Sequence, residues 1–314
     1  MHMDRESYFR AAQIIKDGPS LDNWTERAYT EVEEKRWRSN DEHFCSSFYA
    51  SFFPGAEKNC RCQALYKLMN IPEEKPMTPG GVGVVHVGKC IEEQIVEHWH
   101  KLGITLGAEY PEQVYVTDEE TWLTGYVDAV LDLRPDWYYV LPVEIKSKKN
   151  NVIEYMKIGG QSYDEKHYYQ LQAYILWCIR NHNKRGWNKL GLMPAQGGII
   201  YYVSREDPRN THEFYVEMDE AIMREAEEQL KLWKENFIND ELPPRPKEWR
   251  WTEEPCKWNP YKKLCKQDHK DGVVKLSESN AVKFALEHDP SYNIDKIRKR
   301  VTDRWQQKQL KLFD

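Results

Sequence analysis

Residues 122–150 read WLTGYVDAVLDLRPDWYYVLPVEIKSKKN, and after a polar gap residues 164–177 read DEKHYYQLQAYILW. The first stretch holds paired runs rich in Val, Leu, Ile, Tyr and Trp around Arg134-Pro135-Asp136, the pattern of a β-hairpin. Gly125 and Asp128 fall on the first run, Glu144 and Lys146 on the second. Residues two apart on a strand face the same way, so Glu144 and Lys146 project into one space. With Asp128 opposite them, a pair of carboxylates and an ammonium converge on a small volume. Such a cluster is tolerable when a hard divalent cation sits between the carboxylates, as Mg²⁺ does with substrate phosphate and water. The chemistry it suits is metal-assisted phosphodiester hydrolysis. The metal would polarise the phosphate and activate a water, while Lys146 orients that water or steadies developing charge. An E-x-K on a strand is also commonly a solvated face, so the company it keeps decides the matter.

Around this stretch the pattern is that of a mixed α/β domain. Helical periodicity is expected over residues 5–17 and 24–38, and again over 84–102 after the Pro/Gly-rich loop at 72–83. A strand follows at 112–117, then the hairpin, then a helix over 164–183 on which Gln170 and Tyr174, four apart, share a face. Residues 197–204 (GGIIYYVS) and 212–218 (HEFYVEM) are further strands, and 219–238 is a long amphipathic helix. This order predicts a mixed sheet flanked by helices.

Gly125-Tyr126-Val127-Asp128, Glu144-Ile145-Lys146 and Gln170-Leu171-Gln172-Ala173-Tyr174 resemble, in order, the G-x-x-D, E-x-K and Q-x-x-x-Y motifs of the RecB-type branch of the PD-(D/E)XK nucleases. His86, in VVHVGKCIEE, stands where that branch has its first-motif histidine. The resemblance implies the restriction-endonuclease-like fold and a Mg²⁺- or Mn²⁺-dependent deoxyribonuclease. Asp128, Glu144, His86 and the Ile145 carbonyl would hold the metal, Lys146 would position the water, and Gln170 and Tyr174 would buttress the site and contact the DNA backbone. A neutral imidazole among the ligands makes the site more accepting of Mn²⁺ than oxygen alone would.

The chain has seven cysteines, an odd number, and opens on MHMDRESYFR without an apolar signal region. Both facts argue against a disulfide framework and for a cytoplasmic protein. The run Cys256-Lys257-Trp258-Asn259-Pro260-Tyr261-Lys262-Lys263-Leu264-Cys265 resembles the C-x-x-C-x-x-x-x-x-C of AddB-type and CRISPR-associated iron–sulfur exonucleases, with Asn259 in place of the middle cysteine. Cys60 and Cys62 restore a four-thiolate set with Cys256 and Cys265, which suits a [4Fe-4S] cluster or a tetrahedral zinc. Plain buried thiols are the remaining alternative. Cys45, Cys90 and Cys178 are expected as small buried hydrophobes.

Just before the last residue, Asp314, the basic helical tail reads Gln309-Leu310-Lys311-Leu312-Phe313, which resembles the Q-L-x-L-F peptide that docks bacterial replication and repair proteins on the sliding clamp. Leu310, Leu312 and Phe313 would supply the apolar side of such a contact and Gln309 its polar side. A helix end packed back on the body is the alternative. If the motif docks, the setting is a bacterial cell or a phage-infected host.

Composition sets bounds around these readings. At 314 residues the chain has room for one α/β domain with appendages or for two small domains, and at 40% apolar and 31% charged residues it has no apolar run long enough for a membrane helix. The net charge of −6 does not exclude a DNA partner, because basic residues cluster at 146–149, 180–185 and 245–270 and screening makes nearby charges count most. The organisation expected is a helical lead-in (1–59), a nuclease core (60–240), a cysteine segment (241–275) and a helical tail (276–314). The activity expected is an exonuclease on single-stranded or end-exposed DNA in replication, recombination or repair. A clamp-tethered DNA-binding factor without turnover and a site-specific endonuclease of the same superfamily are the rival readings.

Overall fold

The structure, a computed structural model, describes residues 48–49, 61–74, 79–106, 114–245, 250, 252 and 259–310. The chain divides into two compact units, Met1–Phe44 with Lys75–Cys90, and Cys45–Glu74 with Ile91–Asp314. Within the first unit only residues 79–90 are described; there His86 Nε2 lies 3.7 Å from Cys90 Sγ, one helical turn on. The lead-in helices expected over 5–17 and 24–38 lie outside the described residues.

In chain order the elements are β1 (Phe48–Tyr49), α1 (Arg61–Leu68), α2 (Pro79–Lys101), β2 (Val114–Asp118), β3 (Leu123–Val127), β4 (Ala129–Leu133), β5 (Trp137–Lys148), α3 (Asn150–Lys157) and α4 (Glu165–Asn181). They are followed by β6 (Gly197–Ser204), β7 (Thr211–Glu217), α5 (Glu220–Ile238), α6 (Lys262–Lys270), α7 (Asn280–His288) and α8 (Ile294–Leu310).

The main sheet runs β4-β5-β6-β7. β5 pairs antiparallel with β4 and parallel with β6, while β6 and β7 are antiparallel, so the sheet is mixed. β5 lies inside it because residues 140–145, VLPVEI, are buried without alternation, as a strand covered on both faces requires. Its parallel partner β6 can be reached only by a crossover, which α3 and α4 supply. α4 packs against β5 and β6. On one side Ile91 and Val96 of α2 meet Ala129, Leu131, Leu141, Val143, Ile145 and Val203, with Ile95 and Trp99 at the margin. The fold class is thus α/β, a mixed sheet flanked by helices, as the sequence order implies.

The hairpin differs from expectation in one respect that matters for the site. Its first run is not one strand: β3 belongs to a three-stranded sheet, β1-β3-β2, and β4 to the main sheet. Asp128 is the hinge between them. Ala129 pairs with Val143, so an unbroken strand would next place Val127 opposite Ile145. The chain leaves instead, and the Asp128 carboxylate takes the Ile145 N–H at 2.7 Å in place of a backbone carbonyl. A buried N–H needs a partner, which makes a carboxylate at the hinge a structural as well as a chemical residue.

In the basic segment at 180–185 both arginines are also engaged by the fold. Arg180 is shared between Asp118 and Glu227 at 2.9 and 2.6 Å, joining β2 to α5. Arg185 lies 5.0 Å over the Trp177 ring and donates to the Tyr115 carbonyl. The tail helix α8 docks through Val301 and Trp305, both buried, with Trp305 stacked on Trp122 at 6.1 Å. The side chains of Gln309 and Leu310, and residues Leu312 and Phe313, lie outside what the structure describes. No helix among the described residues is long and apolar enough to cross a membrane.

Candidate active site

Asp128, at the sheet junction, and Glu144 and Lys146, on β5, come together in the larger unit. Glu144 is fully buried, and Asp128 is only 6% exposed. The Lys146 ammonium contacts Glu144 directly, lies 3.9 Å from Asp128 Oδ2, and donates to the Ile145 carbonyl at 3.2 Å. Apart from that ammonium, neither Glu144 oxygen has a hydrogen-bond partner among the described residues. A buried carboxylate left so bare is expensive unless a cation completes it.

The electrostatics agree. Burial, and then the nearby Asp128, push the Glu144 carboxyl up to about 8. Burial also raises Asp128, although Lys146, the Ile145 N–H and a hydrogen bond with Glu92 all work the other way. For Lys146 burial opposes the charge, but Glu144 and Asp128 outweigh it, and the ammonium is held protonated well above its ordinary range. One carboxyl of the pair is therefore poised to lose a proton when a divalent cation enters. Asp128, Glu144 and the Ile145 carbonyl, all contacted by the Lys146 ammonium, could offer a divalent cation oxygen donors of the hard type.

Gln170 and Tyr174 support the site from α4. Gln170 Nε2 donates to Tyr174 Oη at 2.9 Å, and that hydroxyl donates to the Tyr126 carbonyl at 2.7 Å. The chain of bonds pins the backbone just before Asp128. Gln172, fully buried on the same helix, ties the turn between β7 and α5 by accepting from the Asp219 N–H and donating to the Glu217 carbonyl.

Other residues at the site were not singled out for it by the sequence. Glu92 on α2 reaches Asp128; its place among Glu92, Glu93 and Glu97 on a helix gave no reason to prefer it. His167 on α4 shares a hydrogen bond at 2.9 Å with the Tyr202 hydroxyl. Burial and then Lys146 push its imidazole down to about 4, so it is neutral at ordinary pH. Its signal was its position three residues before Gln170 on the same helix. His86 lies in the smaller unit, described by itself above.

The cysteines form a separate cluster. Cys62 on α1 and Cys265 on α6, both buried, lie with His269 such that their ligand atoms are all within 4.8 Å of one another. Cys60 and Cys256 lie outside the described residues. Asn259, in the place of the missing cysteine, accepts the Tyr261 N–H with its side-chain oxygen just ahead of α6, which is a turn role. Cys178 is fully buried, and desolvation raises its thiol pKa, as for an inert core residue.

No family model matches the chain, and no curated protein matches it. Among solved structures, an alkaline exonuclease, LHK-Exo, from Laribacter hongkongensis is similar at 13% identity and a TM-score of 0.40, over 64% of this chain and 91% of that one. The same exonuclease in complex with dAMP gives a TM-score of 0.41 at 13% identity, over 62% and 91%. SSO0001 gives 15% identity and a TM-score of 0.37, over 74% and 93%. Likenesses at these scores do not decide the family of this chain.

Proposed function

We propose that this chain is a divalent-cation-dependent nuclease that hydrolyses DNA phosphodiester bonds, of the PD-(D/E)XK superfamily that its motifs resemble. The observation that carries the reading is the buried Asp128–Glu144 pair, in which Glu144 has no partner but Lys146 among the described residues. Asp128, Glu144 and the Ile145 carbonyl would hold Mg²⁺ or Mn²⁺, and His86 is the further ligand that the motif order suggests. Bound there, the ion would neutralise phosphate charge and lower the pKa of a water. Lys146 keeps its proton because the carboxylates outweigh the cost of its burial. Its role is therefore to donate to the attacking water or the phosphate, and not to accept a proton. Tyr174 and Gln170 fix the backbone that presents Asp128, which keeps the carboxylates aligned as substrate enters.

Within this reading the substrate is single-stranded or end-exposed DNA and the mode is exonucleolytic. The C-terminal Gln309-Leu310-Lys311-Leu312-Phe313 would tether the enzyme to a bacterial sliding clamp. A covalently closed circle is left intact by an exonuclease and cut by an endonuclease, and clamp tethering is lost on deleting residues 309–313. The test of the main proposal is Glu144→Ala assayed for cleavage and for DNA binding in parallel. Cleavage should vanish while binding persists; cleavage at the wild-type rate would refute it.

A further inference from the structure

We infer that Cys62, Cys265 and His269 form a site for a single tetrahedral metal ion, zinc by the chemistry of its donors, and not for the iron–sulfur cubane that the cysteine resemblance implies. The inference does not rest on the nuclease reading, since the donors lie on α1 and α6 and include none of the residues of the Asp128–Glu144 pair.

Cys265 and His269 are four apart on α6 and so present their donors on one side of it. Across from them, Cys62 Sγ lies 3.6 Å from His269 Nε2. A tetrahedral zinc, with bonds of about 2.3 Å to sulfur and about 2.0–2.1 Å to nitrogen, has an S···N edge of roughly 3.6 Å. In a cubane each cysteine binds a different iron, which sets the thiolates roughly 6 Å apart. The three ligand atoms all fall within 4.8 Å of one another, too close for that arrangement and suited to sharing one ion.

The frame around the donors is built to hold them. The Tyr66 hydroxyl donates to Asp268 at 2.5 Å, joining the residue next to His269 to α1. Asp268, fully buried, also accepts from the Asn280 N–H and side chain. The Tyr66 and Tyr261 rings meet edge to face at 5.6 Å, and the Tyr261 hydroxyl donates to the Ile71 carbonyl. A mixed thiolate–imidazole set held in this way suits zinc, with these three donors leaving the fourth tetrahedral position to a further ligand. The ion would fasten α1, far back in the chain, to the C-terminal helices.

The experiment is metal analysis and zinc-edge X-ray absorption on the full chain, expressed with both iron and zinc supplied and purified anaerobically. The expected result is about one zinc per chain with an imidazole nitrogen beside sulfur in its shell. His269→Ala should lower the zinc retained after chelator dialysis by about tenfold or more, and His269→Cys should restore it. About four irons with matching sulfide per chain would overturn the inference. So would an all-sulfur shell, undiminished zinc in His269→Ala, or no metal bound after reconstitution with zinc sulfate. If His269→Ala does not fold, the absorption spectrum of the unaltered protein still decides.

Discussion

Replacing Glu144 by Gln keeps the shape of the side chain and removes a charge that the fold holds at a cost. The carboxyl titrates near 8 in the folded protein against an ordinary 4.5, because burial and Asp128 outweigh Lys146. A carboxyl whose folded value is raised costs nothing below the unfolded value, where both states hold the proton. Between 4.5 and 8 the unfolded chain gives up its proton first, so the metal-free protein loses stability as pH rises, and the loss levels off above 8. At about 1.4 kcal/mol per unit the full cost is at most roughly 5 kcal/mol. Relaxation of the surroundings around a buried charge makes a gain of roughly 2–3 kcal/mol the one to look for in Glu144→Gln at pH 8. The assay is urea unfolding in EDTA at pH 5 and pH 8, variant against wild type. The variant should gain at pH 8 and match wild type far more closely at pH 5, and Mg²⁺ should stabilise wild type alone. A variant no more stable than wild type at pH 8 in EDTA would refute the strained-carboxylate account.

The other predictions use different handles. In the proposed function a cation displaces the proton on Glu144, so Mg²⁺ affinity should rise by up to about tenfold per pH unit below 8 and flatten above it. Calorimetry in buffers of different ionisation enthalpy would report the released proton, and a pH-independent affinity would contradict this. Tyr174→Phe removes the bond to the Tyr126 carbonyl and should cost about 1–3 kcal/mol of stability. It should also lower kcat by loosening Asp128; unchanged turnover would leave Tyr174 a packing residue only. Trp305→Ala opens the stack on Trp122 and should cost about 3–5 kcal/mol, read by thermal melting. A small change there would mean that α8 contributes little to the fold.

The parts of the fold visible in the sequence are those whose pattern is local. The run after Asp136 reads as the second strand of a hairpin and forms β5, and GGIIYYVS forms β6 with the bounds read from the sequence. The break at Asp128 is not local. Residues 123–133 read as one extended run, and only the Ile145 N–H, which a strand beyond the turn donates to the Asp128 carboxylate, shows why the chain changes sheets there. The same holds for the site. Glu144 and Lys146 are neighbours by strand geometry, whereas Glu92 reaches Asp128 from a helix whose packing no periodicity fixes. His269 is masked by the cysteine count, which points to thiols, although a histidine one helical turn after Cys265 is a readable ligand spacing. The Arg180–Arg185 cluster shows the converse. Its charge is plain in the sequence, but Asp118, Glu227 and Trp177, which engage it, come from other segments.

In the proposed function Asp128 and Glu144 serve a cation in DNA cleavage. The most direct measurement of this follows end-labelled linear DNA with wild type and Asp128→Asn, each in Mg²⁺ and in EDTA. Wild type should degrade the DNA in Mg²⁺ alone, with Asp128→Asn folded and at least about a hundredfold slower. Degradation in EDTA, or an Asp128→Asn protein as fast as wild type, would contradict it.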